Sequence, residues 1–215
     1  MKNQKIIIFD ADGTLFDSMP AYAKLFSEIL FKHCKIPMKE SNDYLISTAG
    51  LAIEKQFQHM LKKYEIRDES EKLKEEFYKI VKKRKPEIYP DVMPALRKLK
   101  GYRLFLSSGN RQDLLNLRVR QFRLERFFED WLGFNGFKDK SDHIEHLMKE
   151  LKIPKTKFSE AAIYVADGSH DMEIAKKYGM LSFGRVGTLS KKKLLKAGAD
   201  EAIRDFDDLL KHLSR

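Results

Sequence analysis

Ile6-Ile7-Ile8-Phe9 is an apolar run without polar alternation. Such a run reads as a β-strand buried on both faces, which demands a sheet covered by helices on each side. Asp10-Ala11-Asp12-Gly13-Thr14 follows at once. Asp10 therefore stands at the carboxyl end of a buried strand, where α/β sheets bind ligands, and Gly13 lets the chain turn sharply. A carboxylate fixed there can attack phosphorus, and a second acid two residues on can protonate the leaving oxygen and later activate water. Asp10 and Asp12 are the candidate catalytic pair for phosphoryl transfer, with magnesium as the expected ion.

Beyond this strand the periodicity turns helical. Met19, Tyr22, Ala23, Phe26, Ile29 and Leu30 recur at three- and four-residue steps, and the same holds over 53–64 and 70–83. No convincing strand is predicted between Leu15 and Glu87, so this stretch reads as an all-helical insert. Helices are then expected at 92–99, 111–121, 141–151 (with Ser141 near the N-cap), 172–178 and 206–213. Strands are expected at 102–106, 131–134, 161–165, 181–183 and 201–203. Strands alternating with helices predict a parallel sheet with right-handed crossovers.

The chain has 215 residues and is 42% apolar, enough for one full core plus an insert. No stretch approaches the roughly 18 apolar residues of a membrane span, and the first strand begins too early for a signal peptide, so a cytoplasmic location is expected. The single cysteine, Cys34, is read as core filler. A formal charge of +10 leaves a nucleic-acid partner open, but Lys82-Lys83-Arg84-Lys85 and Lys191-Lys192-Lys193 lack the interleaved aromatics of a single-strand platform. They read as solvated helix ends.

Asp10-Ala11-Asp12-Gly13-Thr14 resembles the DxDGT signature of the haloacid dehalogenase superfamily of phosphohydrolases. The resemblance implies a Rossmann-like α/β core with helices on both faces, residues 1–14 and 88–215, interrupted by a helical cap at 15–87. This layout is similar to the phosphoglycolate phosphatase and β-phosphoglucomutase branch. Ile88-Tyr89-Pro90-Asp91-Val92 is similar to a segment of that branch which usually reads proline then glycine; here Asp91 replaces the glycine.

Leu104-Phe105-Leu106-Ser107-Ser108-Gly109-Asn110 resembles the second family motif, which implies that Ser107 binds the transferring phosphoryl group while Ser108, Gly109 and Asn110 line its approach. The third motif is a lysine before a helix, and Lys140 fits it better than Lys138. In Ile163-Tyr164-Val165-Ala166-Asp167-Gly168-Ser169-His170-Asp171, Ala166 stands where glycine is frequent. The family would hold Mg2+ through Asp10, the backbone carbonyl of Asp12, and Asp167, with Asp171 orienting ligands or water. Thr48 and Gly50 lie in a loop similar to the branch's specificity loop, which implies substrate contact. Asp17 and Ser18 read as hinge or entrance residues, His170 as solvent-facing or supporting, and His143 and His146 as surface residues.

These features imply a magnesium-dependent phosphatase acting on a small phosphorylated metabolite through an aspartyl phosphate. The expected state is a monomer or weak dimer with no membrane association. A phosphomutase of the same branch, or a binding protein on a phosphatase scaffold, are the alternatives.

Overall fold

Strand β1 (Ile6–Phe9) is buried at every position, because apolar side chains project from both faces of the sheet and helices cover each face. The computed structural model describes residues 5–214, so the outermost ends of the expected core segment lie outside the described residues. Around β1 the parallel sheet is ordered β5-β4-β1-β6-β7-β8, with β4 at Arg103–Arg111, β5 at Asp130–Phe134, β6 at Ala162–Ala166, β7 at Leu181–Arg185 and β8 at Glu201–Ile203. From β1 the chain goes to β4 and β5 on one side of the sheet, then crosses back from β5 to β6 on the other side of β1. That reversal makes the carboxyl end of β1 a topological switch point.

One face of the sheet packs Ile7, Phe9 and Leu106 against α5 (Val92–Lys98), α6 (Gln112–Gln121) and α11 (Phe206–Leu213). The other packs Ile6, Ile8 and Tyr164 against α7 (Lys140–Glu150), α8 (Lys155–Ala161), α9 (Ser169–Tyr178) and α10 (Lys191–Ala197). A third apolar cluster belongs almost wholly to α1 (Met19–Cys34), α2 (Met38–Ser47), α3 (Ile53–Lys63) and α4 (Ser70–Val81). Cys34 is only partly buried at its margin. None of the described helices is long and apolar enough to cross a membrane.

Four details depart from the sequence expectation. The stretch after Leu15 is not purely helical: β2 (Phe16–Asp17) pairs antiparallel with β3 (Glu87–Ile88), so the two chain crossings lie side by side. Strand β4 continues past Leu106, its expected end, to Arg111, with an irregular register after Ser107, so the Ser-Ser-Gly-Asn segment belongs to the strand. Helix α7 is capped by Asp139 rather than by Ser141. Helices α2, α8 and α10 arise without a clear apolar stripe; α2 buries only Ser41 and Leu45.

Candidate active site

The first-motif residues converge with the others at the carboxyl ends of β1, β4 and β6. Asp10 is buried, and Lys140 Nζ donates to its Oδ1 at 2.6 Å and to Asp171 Oδ1 at 2.7 Å. The lysine is placed by its helix end. The Asp139 carboxylate accepts from the Ser141 N–H at 3.0 Å, while Asp142 Oδ2 accepts from the backbone N–H groups of Lys138 and Asp139. This capping box fixes the first turn, so that Lys140 enters the protein while Lys138 stays exposed. His170 Nε2, partly exposed, sits 2.9 Å from Asp139 Oδ2 and braces the cap from outside.

Asp12 lies on the open side of the cluster, held by the Ser18 hydroxyl at 2.6 Å and by the Asn110 amide at 2.5 Å. Ser18 is buried and therefore does more than mark a hinge. Asp17 sits in β2, where its carboxylate accepts from the Tyr89 hydroxyl at 3.3 Å. A cavity of about 50 Å³ is bordered by Asp10, Asp12, Gly109, Asn110 and Lys140 from the sheet side. Gly50 borders it from the helical insert. Thr48 does not: its hydroxyl donates to the Tyr44 carbonyl and accepts from Gln56 Nε2 at 2.9 Å, so it stands behind Gln56, which does line the cavity. Gly50 has φ +95, and a Cβ there would come within 2.3 Å of Asp171 Oδ2, which explains why this loop can lie so close to α9.

Ser107 also lies elsewhere than the motif implied. Wholly buried, its Oγ is 2.9 Å from His143 Nδ1 and 3.2 Å from the hydroxyl of Tyr164, which donates to Asp171 Oδ1 at 2.9 Å. Ser107 thus belongs to a network beneath Lys140 and does not border the cavity. The Ser108 hydroxyl accepts from the Asn110 N–H at 3.1 Å. His143 is a buried member of this network and not a surface residue, because the helix face that carries Lys140 inward carries it too. Burial, with Lys140 adding to it, pulls its imidazole down to about 3, so it is neutral at pH 7.

Three buried carboxylates, Asp10, Asp167 and Asp171, gather around one ammonium, which pairs with Asp10 and Asp171 only. Burial pushes the Asp10 carboxyl up; Lys140 opposes this, while Asp171 and Asp167 add to it. Burial raises Asp167 to about 6. Lys140 stays charged, because Asp10 and Asp171 outweigh the cost of burying it. Thr14 Oγ1 donates to Asp167 Oδ1 at 3.2 Å, whereas Asp167 Oδ2 and Asp171 Oδ2 are buried without a partner. Gly13, at φ +78, leaves open the space where a Cβ would fall 1.9 Å from Asp167 Oδ2. A divalent cation fits this surplus of negative charge and unpaired oxygen. Among the described residues no three His, Cys, Asp or Glu side chains form a metal cage. Two carboxylates with a backbone oxygen suit magnesium, which keeps several of its waters.

The model of the haloacid dehalogenase-like hydrolase family matches residues 7–184. A protein of Caldanaerobacter subterraneus subsp. tengcongensis, provisionally named pyrophosphatase PpaX, is 27% identical over 95% of this chain and 92% of its own length. The phosphoglycolate phosphatase of Vibrio cholerae serotype O1 is 27% identical over 86% of this chain and 85% of its own. Among solved structures, the haloacid dehalogenase-like family protein SP0104 from Streptococcus pneumoniae superposes with a TM-score of 0.80 at 22% identity, covering 99% of this chain and 100% of that one. With its match spanning the first motif through β7, this chain belongs to the haloacid dehalogenase-like hydrolases.

Proposed function

We propose that this hydrolase is a magnesium-dependent phosphomonoesterase acting on a small phosphorylated metabolite through an aspartyl phosphate on Asp10. The observation that carries the reading is the placement of Asp10 and Asp12 on one small cavity, each in a different electrostatic setting. Asp10 is pinned by Lys140, which keeps one oxygen oriented and offsets its charge. Asp12 is held by two neutral donors, Ser18 and Asn110, so it can exchange a proton with the leaving oxygen. Relatives carrying phosphatase names support the reaction class.

In the proposed cycle Asp10 attacks phosphorus and Asp12 protonates the departing alkoxide. Asp12 then removes a proton from the water that hydrolyses the acyl phosphate. Lys140 balances charge on the attacking group, and Asp171, held by Tyr164, fixes the lysine. Asp10, the Asp12 carbonyl and Asp167 would hold Mg2+, which when bound neutralises the phosphoryl oxygens. The insert over 15–87 acts as the cap, excluding bulk water from the cavity.

The test is steady-state release of inorganic phosphate from a panel of phosphorylated metabolites. Activity should vanish in excess chelator, return with magnesium, and be absent in a folded Asp10→Asn protein. Phosphate release at full rate in chelator, or by the Asp10→Asn protein, would reject the mechanism; transfer to a sugar without net release would identify a mutase.

A further inference from the structure

The helical insert closes the cavity with Met19, Leu45, Leu51 and Ile53, and it offers polar atoms from Tyr22 and Gln56. Among the described residues it brings no lysine, arginine or histidine to that wall. Lys140, on the sheet side, has its ammonium between Asp10 and Asp171. Lys74 and Arg111 border a separate cavity of about 310 Å³, and both are already paired, Lys74 with Glu54 and Glu71, Arg111 with Glu75 and Asp113. An anionic leaving group would therefore bury a second negative charge beside Asp12 with no counter-charge.

The Tyr22 phenol oxygen is buried beside the Asp12 carboxylate and has no other polar partner, so it is placed to donate to a ligand oxygen bound next to Asp12. Its ring is packed edge-on against Phe77 at 5.4 Å, so the hydroxyl has a fixed position. Burial, then the nearby Asp12, keeps the phenol neutral. Gln56 has its amide nitrogen committed to Thr48 and Leu45, which leaves its carbonyl oxygen as an acceptor. One phenol and one amide oxygen among apolar side chains complement a hydroxyl group.

Resting on the phosphomonoesterase reading, we propose that the substrate is the phosphate ester of a short, uncharged, hydroxyl-bearing alcohol, selected by Tyr22 and Gln56 against carboxylate-bearing esters and pyrophosphate. A matched pair tests this: glycerol 1-phosphate and 3-phosphoglycerate share a three-carbon skeleton and differ in hydroxyl against carboxylate. The kcat/KM for the glycerol ester should be higher by on the order of a hundredfold, the penalty of an unpaired buried charge. Tyr22→Phe should raise KM for the glycerol ester about tenfold with a smaller change in kcat, and should barely change KM for its carboxylate counterpart. Gln56→Lys should narrow or invert the preference. Hydrolysis of 3-phosphoglycerate, 2-phosphoglycolate or pyrophosphate at equal or higher kcat/KM would overturn the proposal, as would equal KM increases for both esters in Tyr22→Phe. If neither these compounds nor acetyl phosphate is hydrolysed, the phosphatase reading fails by itself. Calorimetric titration of the pair onto the Asp10→Asn protein then still decides selectivity, and equal or tighter binding of the carboxylate would refute it.

Discussion

Replacing Asp91 with alanine should destabilise the protein by about 3 to 5 kcal/mol, the usual consequence of stranding one partner of a buried ion pair. Arg185 donates to both Asp91 oxygens, at 2.7 and 2.9 Å, and its side chain is only 6% exposed. The guanidinium lies 4.2 Å from the Tyr89 ring centroid and 4.9 Å from that of Phe206, so water cannot readily replace the lost carboxylate. Asp91 also accepts from the Phe206 N–H at 2.8 Å, tying the return from the insert to the start of α11. In a chain of this size each kcal/mol moves the thermal midpoint by roughly 2 to 4 °C, which places the expected drop at about 6 to 20 °C. Urea unfolding of wild type, Asp91→Ala, Arg185→Leu and the double variant provides the assay. The double variant should recover much of the loss, because it removes the uncompensated cation. A shift below about 1 kcal/mol for Asp91→Ala, or strict additivity in the cycle, would refute the argument.

Three further outcomes follow from the site. His143 is held at about 3, below the imidazole's usual value, so between roughly pH 6.5 and 3 the unfolded chain binds a proton that the folded one does not. This contribution is whole above about pH 6.5 and is lost as the pH falls through that window; His143→Phe should flatten the acid limb of the urea-midpoint profile, and an unchanged slope would contradict it. Gly13→Ala must displace the Asp167 carboxylate and adopt φ +78, so activity should fall by on the order of a hundredfold at constant magnesium with the circular dichroism spectrum retained. Asp12→Asn should slow alkyl phosphates far more than p-nitrophenyl phosphate, whose leaving group needs little protonation, and equal losses would count against Asp12 as the acid.

The sheet was readable from sequence because β1, residues 104–106 of β4, and β6 are unbroken apolar runs, a pattern that little else produces. Asp10, Asp12, Lys140, Asp167 and Asp171 gather at one edge because two strand ends and two helix starts, those of α7 and α9, deliver them there. What escaped detection depends on packing. Thr48 and Ser107 lie one layer behind the cavity, since residue spacing places a side chain along the chain but does not say which neighbour stands in front of it. Tyr164 carried a usable signal: a hydroxyl within a wholly buried strand needs a partner, and its partners are Ser107 and Asp171. Tyr22 and Gln56 gave none, because each occupies an inward position on an ordinary amphipathic helix.

The pairing of Phe16 with Ile88 and of Asp17 with Glu87 means that the insert leaves and rejoins the sheet layer at a single point. Its length is therefore invisible to the rest of the molecule. A tight turn joining β2 directly to β3 would complete a hairpin and leave both apolar clusters of the sheet intact, exposing mainly Leu114 and Arg118, the buried side chains of α6 that meet the insert, the first in its apolar cluster and the second at the Val81 carbonyl. The architecture is thus modular in the engineering sense: one covering can be removed or exchanged at two adjacent residues without moving a strand. Cooperative unfolding of such a shortened chain would show that the sheet folds unaided, and its failure to fold would show that the insert contributes more than a covering.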